Sequence, residues 1–378
     1  MSTQPLAGIK VIDFTQVMLG PCCTQMLGDY GADVIKVERI GAGDLSRTAI
    51  PDQAGTQNPV FCSLNRNKRS IALDLKSPEG MAVVHKMLET ADVVVNNFRA
   101  GVMDRMGLGY ATLRAKNPGL IYAFGTGFGT EGPYAHKGGQ DILAQAMSGV
   151  MARKCDPSEP LTIYPTALAD YSAGMHLVQG ILLALLQRGR TGQGQEVAVS
   201  LYDSMLAMQM QEASMWLMRD RDFSWGAMPF TGAFETTDGA VVIVGAFKAN
   251  PLQEISAALG LEDLSADPRF SNVTIAAQNR NALHAILRAR IATQSTAHWI
   301  ASLEARDLLC APVRTLGEAL GDAQTTVNGM LLNETDFAAV GTPIHLAAGG
   351  FALRHLPPTL GGDSAAILAE YGFAGVIA

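Results

Sequence analysis

The chain has 378 residues, 48% of them hydrophobic and 17% charged, with a formal net charge of -7. That composition excludes a disordered or fibrous protein, and the acidic balance predicts no nucleic-acid partner. At this length the usual size of domains favours two globular units.

The opening MSTQPLAGIKVIDFT passes directly into a strand pattern, without the basic segment and apolar run of a signal peptide, so a cytoplasmic location is expected. Short β-branched runs then alternate with helix-length segments: "KVIDFT", "CTQMLGDYG", "DVIKVER", "IALDLK", "PEGMAVVHKMLETA", "DVVVNNF" and "LIYAFGTG". Strands this apolar, separated by helices, predict a parallel sheet covered on both faces. Ser77 and Pro78 supply an N-cap and a first-turn proline for the helix that follows them. A helix is expected over 171–188. Its stretch "LVQGILLALL" is half of the ~20 residues a membrane span needs and carries Gln179, so it reads as a core helix and no membrane partner is expected. "RGRTGQGQEVAVSLYD" adds a turn and another strand before a Met-rich helix from Ser204 to Arg219.

The texture then changes. "GAFETTDGAVVIVGAF" reads as a hairpin turning at Asp238-Gly239, followed by helices near 251–260, 279–293 and 296–306. The expected division is a large α/β domain over 1–202 and 330–378, a linker over 203–229 and a small α+β domain over 230–329. Five cysteines, Cys22, Cys23, Cys62, Cys155 and Cys310, lack the spacing of a disulfide framework or a zinc site, which fits a reducing compartment.

Gly125, Gly127, Gly129 and Gly132 follow the strand "LIYAF" but do not open a helix directly, which a dinucleotide fingerprint requires. They predict a loop at a strand's carboxyl end. Arg39, Arg66, Lys68, Arg69, Lys76, Arg105 and Lys137 recur near strand ends; each alone is solvated surface, and together they would suit a ligand with several phosphates. Asp170 stands before the long helix, where capping outranks catalysis on local grounds. His176 reads as a satisfied core histidine, and Met205, Met208, Met210, Met215 and Met218 as core filler.

Together, "VIDFTQVMLGPCCTQMLGDYGADVIKVERIGAGD", "NRNKRSIALDLKSPEG", "ADVVVNNFRAGVMDRMGLGY", "YPTALADYSAGMHLVQGILLAL" and "RTGQGQEVAVSLYDSM" resemble the class III CoA-transferase family, which includes formyl-CoA transferase, carnitine-CoA transferase and α-methylacyl-CoA racemases. The resemblance implies an α/β fold with a large Rossmann-like parallel-sheet domain plus a smaller α+β domain, in a homodimer of interlocked rings. It implies coenzyme A or acyl-CoA as substrate, a carboxylic acid as its partner, and neither metal nor prosthetic group. Asp170 falls on the family's nucleophile, which forms an acyl-aspartyl anhydride and then an aspartyl-CoA thioester. Val17, Met18, Arg39, Leu73, Lys76, Asn97, Phe98, Arg105 and Lys137 fall on positions lining the CoA site, with the four cations matched to phosphates. Gln140 stands where the racemase branch has His; glutamine cannot abstract a proton, which argues against racemisation. Met18 stands where formyl-CoA transferase has Gln, and no all-glycine loop lies between Phe223 and Phe234, so an acyl group larger than formyl is expected. Three rival readings stay open: an isomerase or lyase with Asp170 as base, a nicotinamide-dependent oxidoreductase on the Gly125–Gly132 loop, and a silent CoA-binding protein.

Overall fold

The structure, a computed structural model, describes residues 4–51, 57–154, 158–245 and 247–375; Cys155 lies outside the described residues. The chain divides into a large unit, Met1–Ala152 with Thr162–Gln209 and Thr326–Ala378, and a small unit, Arg153–Leu161 with Met210–Thr325.

In the large unit β1 (Lys10–Asp13), β2 (Asp33–Arg39), β3 (Lys68–Leu73), β4 (Val93–Asn96), β5 (Ile121–Thr126) and β6 (Glu196–Ser200) form one parallel sheet in the order 3-2-1-4-5-6. Alternate residues feed two cores. Val11, Val34, Val93, Val95, Ile121 and Ala123 face one, whereas Ile12, Ile35, Ile71, Val94 and Tyr122 face the other. Both faces are apolar because both are covered, which is why these strands read as unbroken hydrophobic runs.

Helices α1 (Leu19–Asp29), α2 (Pro78–Glu89), α3 (Asp141–Met147), α4 (Leu168–Thr191) and α5 (Leu201–Met208) belong to this unit. Ser77 Oγ accepts the Gly80 amide at 3.0 Å and Pro78 opens α2, as the sequence predicts. The sheet order is that of dinucleotide-binding folds, yet the glycine-rich loop follows β5 rather than β1, which counts against the nicotinamide reading. The order reverses between β1 and β4, so their carboxyl ends flank the switch point where open α/β sheets bind ligands.

Three of the seven basic residues serve the fold instead of a ligand. Arg66, Lys68 and Arg69 stand at the amino end of β3, opposite the carboxyl ends. Arg66 pairs with Asp29 at 2.6 Å and Arg69 with Asp33 at 2.6 Å. Lys68 Nζ, fully buried, reaches Asp13 Oδ2 at 3.1 Å, the Pro21 carbonyl at 3.1 Å and Asn65 Oδ1 at 2.9 Å. Burial drives the Lys68 ammonium down to about 8, while Lys68 and Lys36 hold Asp13 below the usual carboxylate value against its own burial.

The small unit holds the β7 (Thr231–Glu235) and β8 (Ala240–Val244) hairpin, with β9 (Leu309–Pro312) antiparallel beside β8. Its helices are α6 (Met210–Arg219), α7 (Pro251–Ala258), α8 (Arg280–Ile291) and α9 (Thr296–Glu304), around a core that includes Phe234, Phe270, Leu283 and Trp299. Asp238 turns the hairpin and anchors it, accepting the Thr296 amide at 2.8 Å.

Two expectations are corrected. The single helix over Ser204–Arg219 is two, α5 and α6, and of its methionines only Met205 is fully buried, while Met208, Met210 and Met218 are exposed. Helix α4 is a core helix on one face only. Leu177, Val178, Ile181 and Ala184 are buried, but Leu183 and Leu186 are 67% and 66% exposed. His176 is half-buried and meets Ser204 Oγ at 3.0 Å.

Helices α1 and α4 cross at Gly174, where an added Cβ would sit 2.7 Å from the Leu19 carbonyl oxygen. A Gly→Ala change in a helix ordinarily gains ~1 kcal/mol. Here the backbone contact reverses the sign, and Gly174→Ala should cost about 1–3 kcal/mol, read as a lower urea midpoint.

Candidate active site

A cleft of about 380 Å³ opens at the switch point, between the turn after β1, the segment after β4 and the glycine-rich loop after β5. Asp170 lines it. A cleft of about 430 Å³ within the small unit is larger, but its one charged side chain, Lys248, is paired with Asp307 at 2.7 Å, and its two hydroxyls, on Ser265 and Ser271, donate to Asp263 and to the Pro268 carbonyl.

Asp170 does not cap its helix. Ala167 is the N-cap residue and makes no side-chain bond, and Asp170 is the third residue of α4. The cap comes from 29 positions earlier. Asp141, the first residue of α3, accepts the Ala169 amide at 2.7 Å and the Asp170 amide at 3.1 Å on Oδ1, while Gln145 Nε2 donates to its Oδ2 at 2.7 Å. The backbone N–H of Leu19, the first residue of α1 and like Asp170 part of the cleft lining, approaches the Asp170 carboxylate closely enough to favour its ionised form. Burial, reinforced by the Asp141 charge, pushes the Asp170 carboxyl up to about 6 against the opposing pull of that amide. A partly desolvated carboxylate short of donors is a stronger nucleophile or base than a solvated one.

Val17, Met18, Asn97, Phe98, Lys137 and Gln140 border the cleft together with Asp170. Arg39, Lys76 and Arg105 do not line it; all three are exposed, at or beyond the carboxyl ends of β2, β3 and β4. Leu73 departs from its expected role, because its side chain is 1% exposed and packed into the core, which leaves only its backbone for a ligand. Asn97 is also occupied: its Oδ1 accepts the Gln16 amide at 2.9 Å and its Nδ2 donates to the Gln16 carbonyl at 2.7 Å. Lys137 Nζ rests 4.2 Å from the centre of the Tyr134 ring. Gln140 caps α3 by accepting the Ile142 amide at 2.9 Å, and its side chain is exposed at the cleft edge.

Glycine lets the walls come close. A Cβ on Gly127 would lie 2.4 Å from the Gly139 Cα, so the two stems of the glycine-rich loop meet backbone to backbone. Sequence reasoning missed Asp141 and the Leu19 amide. The signal for Asp141 was the acid following Gln140 in "GGQDILAQ", at the head of a helix; for the amide no side-chain signal exists.

The model of CoA-transferase family III matches residues 6–364. The chain is 35% identical to a mouse succinyl-CoA:glutarate CoA-transferase, over 98% of this chain and 87% of the mouse protein. It is 34% identical to an acetyl-CoA:oxalate CoA-transferase of Acetobacter aceti, over 91% and 89% respectively. The crystal structure of a CaiB/BaiF family protein from Brucella suis superposes with a TM-score of 0.89 at 33% identity, covering 98% of this chain and all of that one. Six parallel strands in the same architecture, a half-buried aspartate at their switch point and a family match over nearly the whole length converge on one assignment: this chain belongs to CoA-transferase family III.

Proposed function

We propose that the protein moves coenzyme A from an acyl-CoA thioester to a free carboxylic acid, with Asp170 as covalent nucleophile. The observation that carries this reading is the Asp170 carboxylate itself, lining the cleft beside the uncapped amide end of α1 and raised to about 6 by burial and the Asp141 charge. A carboxylate oxygen attacks the thioester carbonyl, the C–S bond breaks, and CoA thiolate leaves an acyl-aspartyl anhydride. The thiolate then attacks the aspartyl carbonyl and expels the donor acid as its carboxylate, giving aspartyl-CoA. The acceptor carboxylate reverses both steps. No atom changes oxidation state, so the cycle needs no redox partner.

Lys137, at the cleft, and Arg39, Lys76 and Arg105, beyond it, are the cations proposed for the phosphates, and Phe98 offers a ring for the adenine or pantetheine. The acids in the relatives' names, glutarate and oxalate, head the acceptor screen. The chain is proposed to act as a homodimer, because Leu183 and Leu186 on α4 and Met210, Leu217 and Met218 on α6 are apolar and widely exposed in the single chain. Light scattering at micromolar concentration should return twice the chain mass; a stable monomer refutes the dimer.

Incubation with acyl-CoA and trapping with hydroxylamine or borohydride should place a mass change on the Asp170 peptide. Asp170→Asn should abolish both adduct and turnover. Solvent deuterium appearing at the α-carbon of an acyl-CoA, with no adduct and no acceptor acid present, would instead establish the isomerase reading. The raised carboxyl also fixes a sign for stability. Relative to its ordinary value of 3.8, the folded state disfavours the ionised form, a cost that enters as pH rises between 3.8 and about 6 and is complete above that. Asp170→Asn should therefore stabilise the protein by about 1–2 kcal/mol at pH 7 and give no gain below about pH 4.

The rate of adduct formation should fall as pH drops through about 6, where Asp170 takes up its proton. Asp141→Asn keeps an oxygen for the helix amides but removes the neighbouring charge, so this acid limb should move to lower pH. An unmoved limb would show that burial alone sets it.

A further inference from the structure

The turn between β1 and α1 is held by side chains at every backbone polar group from Thr15 N–H to Val17 N–H. Thr15 N–H donates to Asp13 Oδ1 at 2.8 Å, and the Thr15 carbonyl accepts Lys36 Nζ at 2.7 Å. Asn97 takes both polar groups of Gln16, at 2.9 and 2.7 Å. Val17 N–H donates to Asp44 Oδ1 at 3.0 Å. Asp44 is itself fixed, paired with Lys36 at 2.8 Å and accepting the Ser46 amide and hydroxyl at 2.8 Å each, while its own N–H donates to Glu38 at 2.9 Å. Side chains from the carboxyl ends of β1, β2 and β4, and from the loops that follow them, thus converge on three residues.

What they hold is strained. Val17 has φ +66°, the left-handed region that a β-branched residue enters only at a cost. Two residues on, Leu19 opens α1 with no side-chain cap before it, so its N–H belongs to the helix's unpaired donors; it lines the same cleft as Asp170, its carbonyl packs against Gly174 one turn along, and its N–H acts on the Asp170 carboxylate. Relaxing the turn would swing that donor away.

We propose that Asn97 and Asp44 are positioning residues of the transferase reaction: they lock Gln16 and Val17 into the left-handed turn that aims the Leu19 amide at the Asp170 carboxylate. The proposal rests on Asp170 being the nucleophile. The held oxygen stays fixed while the other faces the cleft for attack. When CoA thiolate later adds to the aspartyl carbonyl, the oxyanion forms on the oxygen that faces the Leu19 amide, with little reorganisation at that moment. This role differs from the one that the family resemblance gives Asn97, whose amide is spent on protein backbone and not turned to a ligand.

Single-turnover mixing with acyl-CoA, followed by mass measurement of the Asp170 peptide, reads adduct formation, and calorimetric titration with CoA reads affinity. Asn97→Ala should slow the adduct about 100-fold while leaving the Kd for CoA within about threefold. Val17→Gly, which keeps the amide that Asp44 holds and adopts the left-handed turn without strain, should leave the melting temperature unchanged or higher and the adduct rate within about threefold. In the Asn97→Ala background it should recover at least about threefold of the lost rate, since glycine holds that turn without the clamp. If Asn97→Ala weakens CoA binding and leaves the saturated rate untouched, Asn97 is a ligand contact and the proposal is overturned. A double variant no faster than Asn97→Ala alone overturns it as well. A wild-type protein that forms no adduct on Asp170 refutes the nucleophile first and this proposal with it, so wild-type labelling separates the two failures.

Discussion

The close crossing of α1 over α4 is the constraint on which the site depends, because it brings the first amide of one helix to a carboxylate in the first turn of the other. Three glycines make room. Gly174 yields to the Leu19 carbonyl, Gly125 to the Leu19 side chain, whose Cδ2 would lie 2.4 Å from an added Cβ, and Gly20 to the Thr15 side chain at 2.3 Å. Each glycine gives up side-chain packing and costs backbone entropy. Hydrophobic burial alone would favour a larger residue at all three places, and the helices would then sit farther apart.

Around β1 to β3 three cations, Lys36, Arg47 and Lys68, face three carboxylates, Asp13, Glu38 and Asp44. Asp13, Lys36 and Lys68 are entirely buried. Apolar replacements of such groups are often as stable, so stability does not explain them. Their partners do. The Thr15 amide and carbonyl and the Val17 amide belong to irregular backbone that neither the sheet nor α1 can satisfy, and a buried unpaired backbone group is costly. Burial works against ionisation of Asp44, yet Lys36 and the surrounding donors hold its carboxyl down to about 2, so it keeps the charge that makes it a firm acceptor for the Val17 amide.

The sheet was legible in the sequence because strands covered on both faces leave an unbroken apolar signature, and "DVVVNNF" became β4 with Val93, Val94 and Val95 all at zero exposure. The hairpin at Asp238 was legible from its turn residues. Asp170 could be found locally, but the capping role that local grounds favour is not the one it has, since nothing near it in the sequence says that Asp141 has taken the helix amides. Cations near strand ends were a mixed signal. Arg66, Lys68 and Arg69 precede or begin β3 and pair with carboxylates brought in from α1, β1 and β2, partners that only the fold reveals. Asn97 and Asp44 left no periodicity to detect, because they act on backbone 81 and 27 positions away.

Two local rules are broken within one site. A β-branched residue occupies a left-handed turn at Val17, and a carboxylate sits where its ionised form is disfavoured, at Asp170. A sequence shaped for stability alone would place glycine at the first and let the second cap its own helix. Instead another acid takes the helix end. Asp141 accepts two of its amides and stays a structural acceptor, while Asp170 accepts none of them and faces only the Leu19 amide of α1. A carboxylate surrounded by donors is well stabilised and correspondingly poor at attack; stripping Asp170 of its own helix's amides raises its basicity and leaves an oxygen available. Strain at Val17 and desolvation at Asp170, brought together at one cleft, are what a reactive site requires and what selection for stability alone would remove.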